Sequence, residues 1–384
     1  MFQRIVNVDE GKDPSSVIRN YQPRACPWRL LHYFLLFVLV GLGLLILSMN
    51  TIRYFGVQNQ PVHKSRPFLC LEEPFSIESR FSTPSSLLHA MSDEELFWRA
   101  SFVPLMKTYP LKRVPKIAFM FLVKGPLPFA PLWERFFKGH KELYSIYIHS
   151  LPSYGAEFPP SSVFYERQIP SQVVEWGLMS MCDAERRLLA NALLDMSNEW
   201  FILVSESCIP IQNLTTVYNY ISRSKYSFIG SFDEDGPYGR GRYNKKMAPE
   251  INLTEWRKGS QWFEVNRELA IDIIEDSTYY PMFKKFCRPT CYVDEHYFPT
   301  MLTIQSPDLL ANRSITWVDW SRGGPHPATF GEADITKEFF KKILENSSCS
   351  YNDRPYSLCF LFARKFAPGA LDSLSALASE VFGF

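Results

Sequence analysis

The sequence predicts an α/β fold, a mainly parallel sheet flanked by helices, carried behind a single transmembrane helix and a stem. Apolar runs of strand length recur at residues 116–123, 143–149, 200–205 and 226–231. Runs of this kind that are continuous rather than alternating mark strands buried on both faces of a sheet. Stretches with a helical period intervene at 129–137, 176–196 and 214–221, giving the β-α-β alternation of a parallel sheet. Finally, residues 30–49 are apolar except for His32, and at about 1.5 Å per residue they are long enough to cross a hydrocarbon core of about 30 Å.

The order of these features predicts a cytosolic tail (1–29), a signal anchor (30–49), a stem (50–110) and a lumenal domain (111–384). The span lacks a clear small-residue cleavage site, so a retained anchor is expected rather than a cleaved leader. Lys12, Arg19, Arg24 and Arg29 precede it and Arg53, Lys64 and Arg66 follow, a slight bias toward a cytosolic N-terminus. Four N-glycosylation tripeptides, at Asn213, Asn252, Asn312 and Asn346, all lie beyond the span and favour a lumenal body, although such tripeptides also occur unused. Of eight cysteines only Cys26 precedes the span; the other seven stand where oxidation is permitted, and an odd count leaves at least one free or paired between chains. Cys287 and Cys291 lack the further ligands of a zinc site. The stem is rich in Pro and Ser, interrupted by a capping box at Ser92-Asp-Glu-Glu95 that predicts a short helix docked on the domain. With 41 basic and 40 acidic residues the chain has no global field for nucleic acid.

Ligands of open α/β sheets bind beyond the carboxyl ends of the strands. That rule directs attention to Lys124, His149 and Ser205-Glu-Ser207. Further along, residues 261–265 read as a strand, Asn266 as the cap of a helix with Leu269, Ala270, Ile273 and Ile274 on one face, and Asp294 as the cap of another helix with Glu295 in its first turn. Asp233-Glu-Asp235 has two readings: a metal-binding D-x-D, or a turn leading into Gly236-Pro237.

Four segments carry a resemblance: residues 116–123; Val174-Glu-Trp176 through 198–210; Gly259-Ser-Gln-Trp-Phe263 with Asp294-Glu295; and Leu361-Phe-Ala-Arg-Lys-Phe366. In order and spacing they resemble the core-2/I-branching β-1,6-N-acetylglucosaminyltransferases, plant branch, over about residues 115–368. The resemblance implies a GT-A-type domain and an inverting, metal-independent Golgi transferase without a cofactor. Its partners would be a nucleotide sugar, most often UDP-N-acetylglucosamine, and a glycan, wall polysaccharide or glycoprotein acceptor. By the same resemblance Glu295 is the base, Lys365 with Arg364 binds the diphosphate, and Val123, Lys124 and His149 lie on the donor side. Trp320 packs on the acceptor sugar or serves as a core residue, and Arg242 is a basic acceptor-side residue. Two departures matter: Lys124 stands for a histidine, and His149 for an aspartate that helps hold uridine. They leave the donor open, and with it two alternatives, a non-catalytic glycan-binding protein on this fold and a metal-dependent transferase built on Asp233 and Asp235.

Overall fold

In the computed structural model the described residues are 28–58, 87–102, 112–155, 157–288, 291–345 and 347–384. They fall into two units, the first holding a single described helix, α1 (Trp28–Gln58). Its window His32–Met49, with mean hydropathy 2.3, is long and apolar enough to cross a membrane. The helix runs past the predicted span, through residues 50–58. Cys26, Cys70 and Asn346 lie outside the described residues.

The second unit begins with the predicted stem helix, α2 (Asp93–Ser101), capped by Ser92 Oγ accepting from the Glu95 amide. It buries Leu96 and Ala100, so it docks as expected. The main sheet follows: β1 (Lys116–Leu122), β2 (Tyr144–His149), β3 (Asn198–Ser205) and β5 (Glu264–Asn266), in the order β2-β1-β3-β5. The first three run parallel and β5 is antiparallel to β3. β1 is buried from Ile117 onward, as its continuous apolar run requires. Helix α3 (Ala130–Phe137) supplies Leu132, Trp133, Phe136 and Phe137 at helical spacing, and Trp133 and Phe137 pack edge-on against Phe119 of β1. Each such ring removed from water contributes roughly 1.5–3 kcal/mol.

Helix α4 (Met179–Leu193) is shorter than the periodic stretch at 176–196 and buries the charged residues Glu185, Arg186 and Arg187. Arg187 grips both Asp93 oxygens of α2 at 2.8 Å, and Arg186 donates to the Ile274 carbonyl and stacks on Tyr280. Ion pairing and backbone acceptors make that burial tolerable. After β3 come β4 (Ile209–Pro210) and α5 (Leu214–Ser222), the latter capped by the Asn213 side chain. A second sheet joins β4 to β6 (Thr316–Val318) and β7 (Phe362–Arg364) in the order β4-β7-β6, tying the C-terminal third to the rim.

Two expectations are corrected. The run at 226–231 forms isolated bridges, not a strand, because its partners change from residue to residue: Ser227 meets Leu310, Phe228 meets Glu264, and the Ser231 amide goes to the Asn312 side chain. Asp294 caps no α-helix. It sits in a 3-10 turn, Val293–Glu295, and the helix after it, α8 (Tyr297–Gln305), starts three residues later with no side-chain cap. Asn266, by contrast, caps α6 (Arg267–Glu275) as expected, accepting from the Leu269 amide. Asp276, unnoticed in the sequence, accepts from the amides of Thr278, Tyr279 and Tyr280 to open α7 (Tyr279–Phe286).

Candidate functional site: a cleft at the carboxyl rim of the sheet

The carboxyl ends of β1, β2 and β3 open into a cleft of about 510 Å³, well within the size of small-ligand sites. Val123, Lys124, His149, Trp320, Arg364, Lys365 and Glu295 all line it, although they come from distant parts of the chain. Arg242 reaches the same place by donating from Nη1 to Glu295 Oε2 at 3.0 Å. Ser205 and Glu206 line the rim as predicted, whereas Ser207 turns inward to bond Ser205.

Local structure explains why Glu295 is held there. The Gly259 amide donates to the Glu295 carbonyl at 2.8 Å, and a Cβ at Gly259 would collide with the Gly230 carbonyl oxygen and with Pro299. Only glycine permits that approach. On the other side, buried His296 uses Nδ1 to reach the Arg257 carbonyl at 2.7 Å and stacks on Trp256. Burial depresses the His296 pKa to about 3, so the ring stays neutral. Tyr292, with φ of 55°, turns the chain into the segment, just after a Cys287–Cys291 disulfide. Among the described residues Glu295 Oε1 has no partner, so one oxygen is fixed by Arg242 and the other faces the cleft unengaged.

Asp294 next door behaves differently. It is 5% exposed, its Oδ1 has no hydrogen-bond partner among the described residues, and burial followed by the neighbouring Glu295 raises its pKa to about 7. Behind it Glu185 of α4 is fully buried and its pKa is also raised, by burial and then by Asp294. Gln261 Nε2 donates to Glu185 Oε1 at 2.8 Å, which links the segment at 258–266 to that helix.

The cleft also carries cations. Arg364 stacks on Trp262 at 4.0 Å and its Nε finds no acceptor among the described residues. Lys365 follows with its pKa lowered, by burial and then by Arg364. Exposed Lys124 adds a third cation. The Arg364-Lys365 pair is therefore no solvated surface pair but the end of a strand wedged into the cleft. His149 is fully buried, with burial holding its pKa near 4. Its Nε2 accepts from the Gln172 amide at 3.3 Å, which puts the proton on Nδ1 of the neutral ring. Trp320 is half exposed, which removes the core alternative.

The acidic tripeptide lies apart. Arg240 donates Nε and Nη2 to the two oxygens of Asp233 at 2.8 and 2.6 Å and pairs through Nη1 with Asp235 at 2.8 Å. Glu234 alone of the three lines the cleft, paired with Lys258. Of the predicted glycosylation sites, Asn252 and Asn312 are exposed, while Asn213 is engaged as a cap with Gly383 against its side chain.

Sequence reasoning gave no role to Glu185, Gln261, His326 or Trp176, although Trp176 lay within a quoted segment. A fully buried acid in a helix leaves no signal in composition. A tryptophan ahead of a helix start does, but it reads equally as core.

A cleft at the carboxyl rim of a mainly parallel sheet, lined by a carboxylate and by cations, stands where α/β folds bind small ligands. The chain belongs to the Core-2/I-branching enzyme family, whose model matches residues 117–344, and is by that membership a glycosyltransferase. It is similar to Glycosyltransferase BC10 of Oryza sativa subsp. japonica, 37% identical over 69% of this chain and 78% of the rice protein.

Proposed function

We propose that the domain is of the GT-A type and performs inverting, metal-independent sugar transfer, moving N-acetylglucosamine from UDP-N-acetylglucosamine to a glycan or polysaccharide with Glu295 as base. The observation that carries this reading is that Glu295 and Lys365, 70 positions apart, line one cleft. In this scheme the acceptor hydroxyl attacks the anomeric carbon from the face opposite the diphosphate while Glu295 Oε1 takes its proton, and the bond from that carbon to the diphosphate oxygen breaks. Arg242 holds Oε2 and keeps the carboxylate aimed. Lys365, Arg364 and Lys124 balance the charge on the departing nucleoside diphosphate, the work a divalent cation does in metal-dependent transferases.

His149 suits the donor side despite replacing an aspartate: it lines the cleft, and among the described residues its Nδ1–H has no acceptor. The metal-dependent alternative is disfavoured because a cation at Asp233 and Asp235 has to displace a guanidinium bound to both. We assign residues 1–29 to the cytosol, 30–49 to the bilayer, 50–110 to the stem and 111–384 to the Golgi lumen. The α1 helix and the exposed tripeptides at Asn252 and Asn312 support that orientation.

A panel of nucleotide sugars offered to the purified full chain, with and without EDTA, tests the reading. Turnover of UDP-N-acetylglucosamine that survives chelation is expected. Loss of all turnover with EDTA, restored by Mn²⁺, sinks the metal-independent mechanism.

A further inference from the structure

We propose that Trp176 is a second sugar-stacking platform, so that the cleft grips its acceptor at two sugar residues and the substrate is an oligosaccharide or polysaccharide chain. The inference rests on the reading of Glu295 as base and extends it to the class of acceptor.

Trp176 lines the cleft yet is 46% exposed. Its ring nevertheless meets two others, Tyr292 at 4.9 Å and 69° and His326 at 5.1 Å and 49°. The Tyr292 ring carries the Arg242 guanidinium at 4.1 Å, and Arg242 bonds Glu295. A short chain of contacts thus registers the indole against the carboxylate. His326 belongs to the segment closed by the Ala328 amide on the Asp319 carbonyl at 2.9 Å. That segment also carries Trp320, the second indole lining the cleft, 50% exposed.

Sugar rings present C–H faces that pack on aromatic planes while their hydroxyls bond polar neighbours, and an indole offers a large rigid face at little entropic cost. The neighbours are polar: Glu295, Lys258 and Glu234 share the cavity. A wholly apolar ligand would leave those groups desolvated and unpaired. One sugar at the reacting position can cover one indole; two half-exposed indoles lining one cleft fit two sugars.

The test uses the full chain in detergent with UDP-N-acetylglucosamine as donor. Methyl β-galactoside, methyl β-xyloside and the matching short oligosaccharides serve as acceptors for the parent, Trp176→Ala and Trp176→Phe. The parent is expected to show KM falling with acceptor length. In Trp176→Ala that gain is lost, raising oligosaccharide KM about three- to tenfold at constant kcat, and Trp176→Phe restores most of it. An equal loss on single sugars and oligosaccharides overturns the second subsite, as does an unaltered length dependence. Weakened donor affinity overturns it too, by assigning the ring to the nucleotide. If instead the parent transfers to no acceptor, the reading of Glu295 falls first and this inference with it, a result distinct from any of those above.

Discussion

Two acidic segments, Asp233-Glu-Asp235 and Asp294-Glu295, carry the same side chains and have opposite fates. In the first, Arg240, seven positions away, binds both aspartates on a half-exposed turn and holds the Asp233 carboxyl below its usual range. In the second, the partner of Glu295 is Arg242, fifty-three positions away, which engages one oxygen only. Asp294 is buried, its Oδ1 has no partner among the described residues, and it keeps its proton up to about pH 7. A carboxylate saturated by a guanidinium is a structural clip; one with an open oxygen in a cleft is available for chemistry. Carboxyl identity decides nothing here, and the number of satisfied oxygens decides a good deal.

The contrast is broken most directly at Glu295. Glu295→Gln keeps the shape and the bond to Arg242 but cannot take a proton, so turnover should fall roughly 10²–10⁴-fold, with melting temperature and donor affinity close to the parent's. Near-normal turnover in a folded, donor-binding variant removes the base assignment and makes the two segments equivalent.

Next in size are the cations of the cleft. Lys365→Ala should raise donor KM about ten- to a hundredfold, since a charge-assisted contact to the diphosphate is lost, and added Mn²⁺ should not rescue it. Rescue would mean that a metal site exists after all.

Asp294 sharpens the comparison through pH. Its folded pKa, about 7, lies above the ordinary 3.8, so the folded protein holds a proton that the unfolded chain releases. The stabilisation from this group is therefore complete below about 3.8 and is lost as pH rises through about 7. Asp294→Asn lacks that loss. Its melting temperature relative to the parent should climb between those limits and level off above, by an amount equivalent to roughly 4 kcal/mol. A difference that is flat with pH means that Asp294 is ionised in the fold.

The smallest effect is expected at the turn. Asp233→Asn combined with Asp235→Asn should change turnover less than about twofold, because exposed ion pairs contribute little. A large loss, reversed by metal, returns the tripeptide to the active site.

Much of this architecture was legible beforehand. The runs at 116–123 and 143–149 became β1 and β2 within a residue or so, and Asn266 capped its helix as read. These features depend on neighbours a few positions apart, where side-chain period and capping chemistry act. The reading failed where partners come from elsewhere. Residues 226–231 have strand composition but no partner strand in register, and Asp294 has cap chemistry but is buried in a 3-10 turn beside α4. The segments carrying the family resemblance placed Lys365 and Glu295 in one cleft only because the fold they imply was brought with them.

By itself the sequence determined the strands and helices of the rim, the apolar span near the N-terminus and the motifs that mark the family. Tertiary structure alone decided that Arg240 would close the acidic turn, that Asp294 and Glu185 would be buried together, and that Trp176 would stand half exposed in the cleft that Glu295 lines. The reason is physical: desolvation and Coulomb interactions depend on distance through space, and order along the chain does not report that distance.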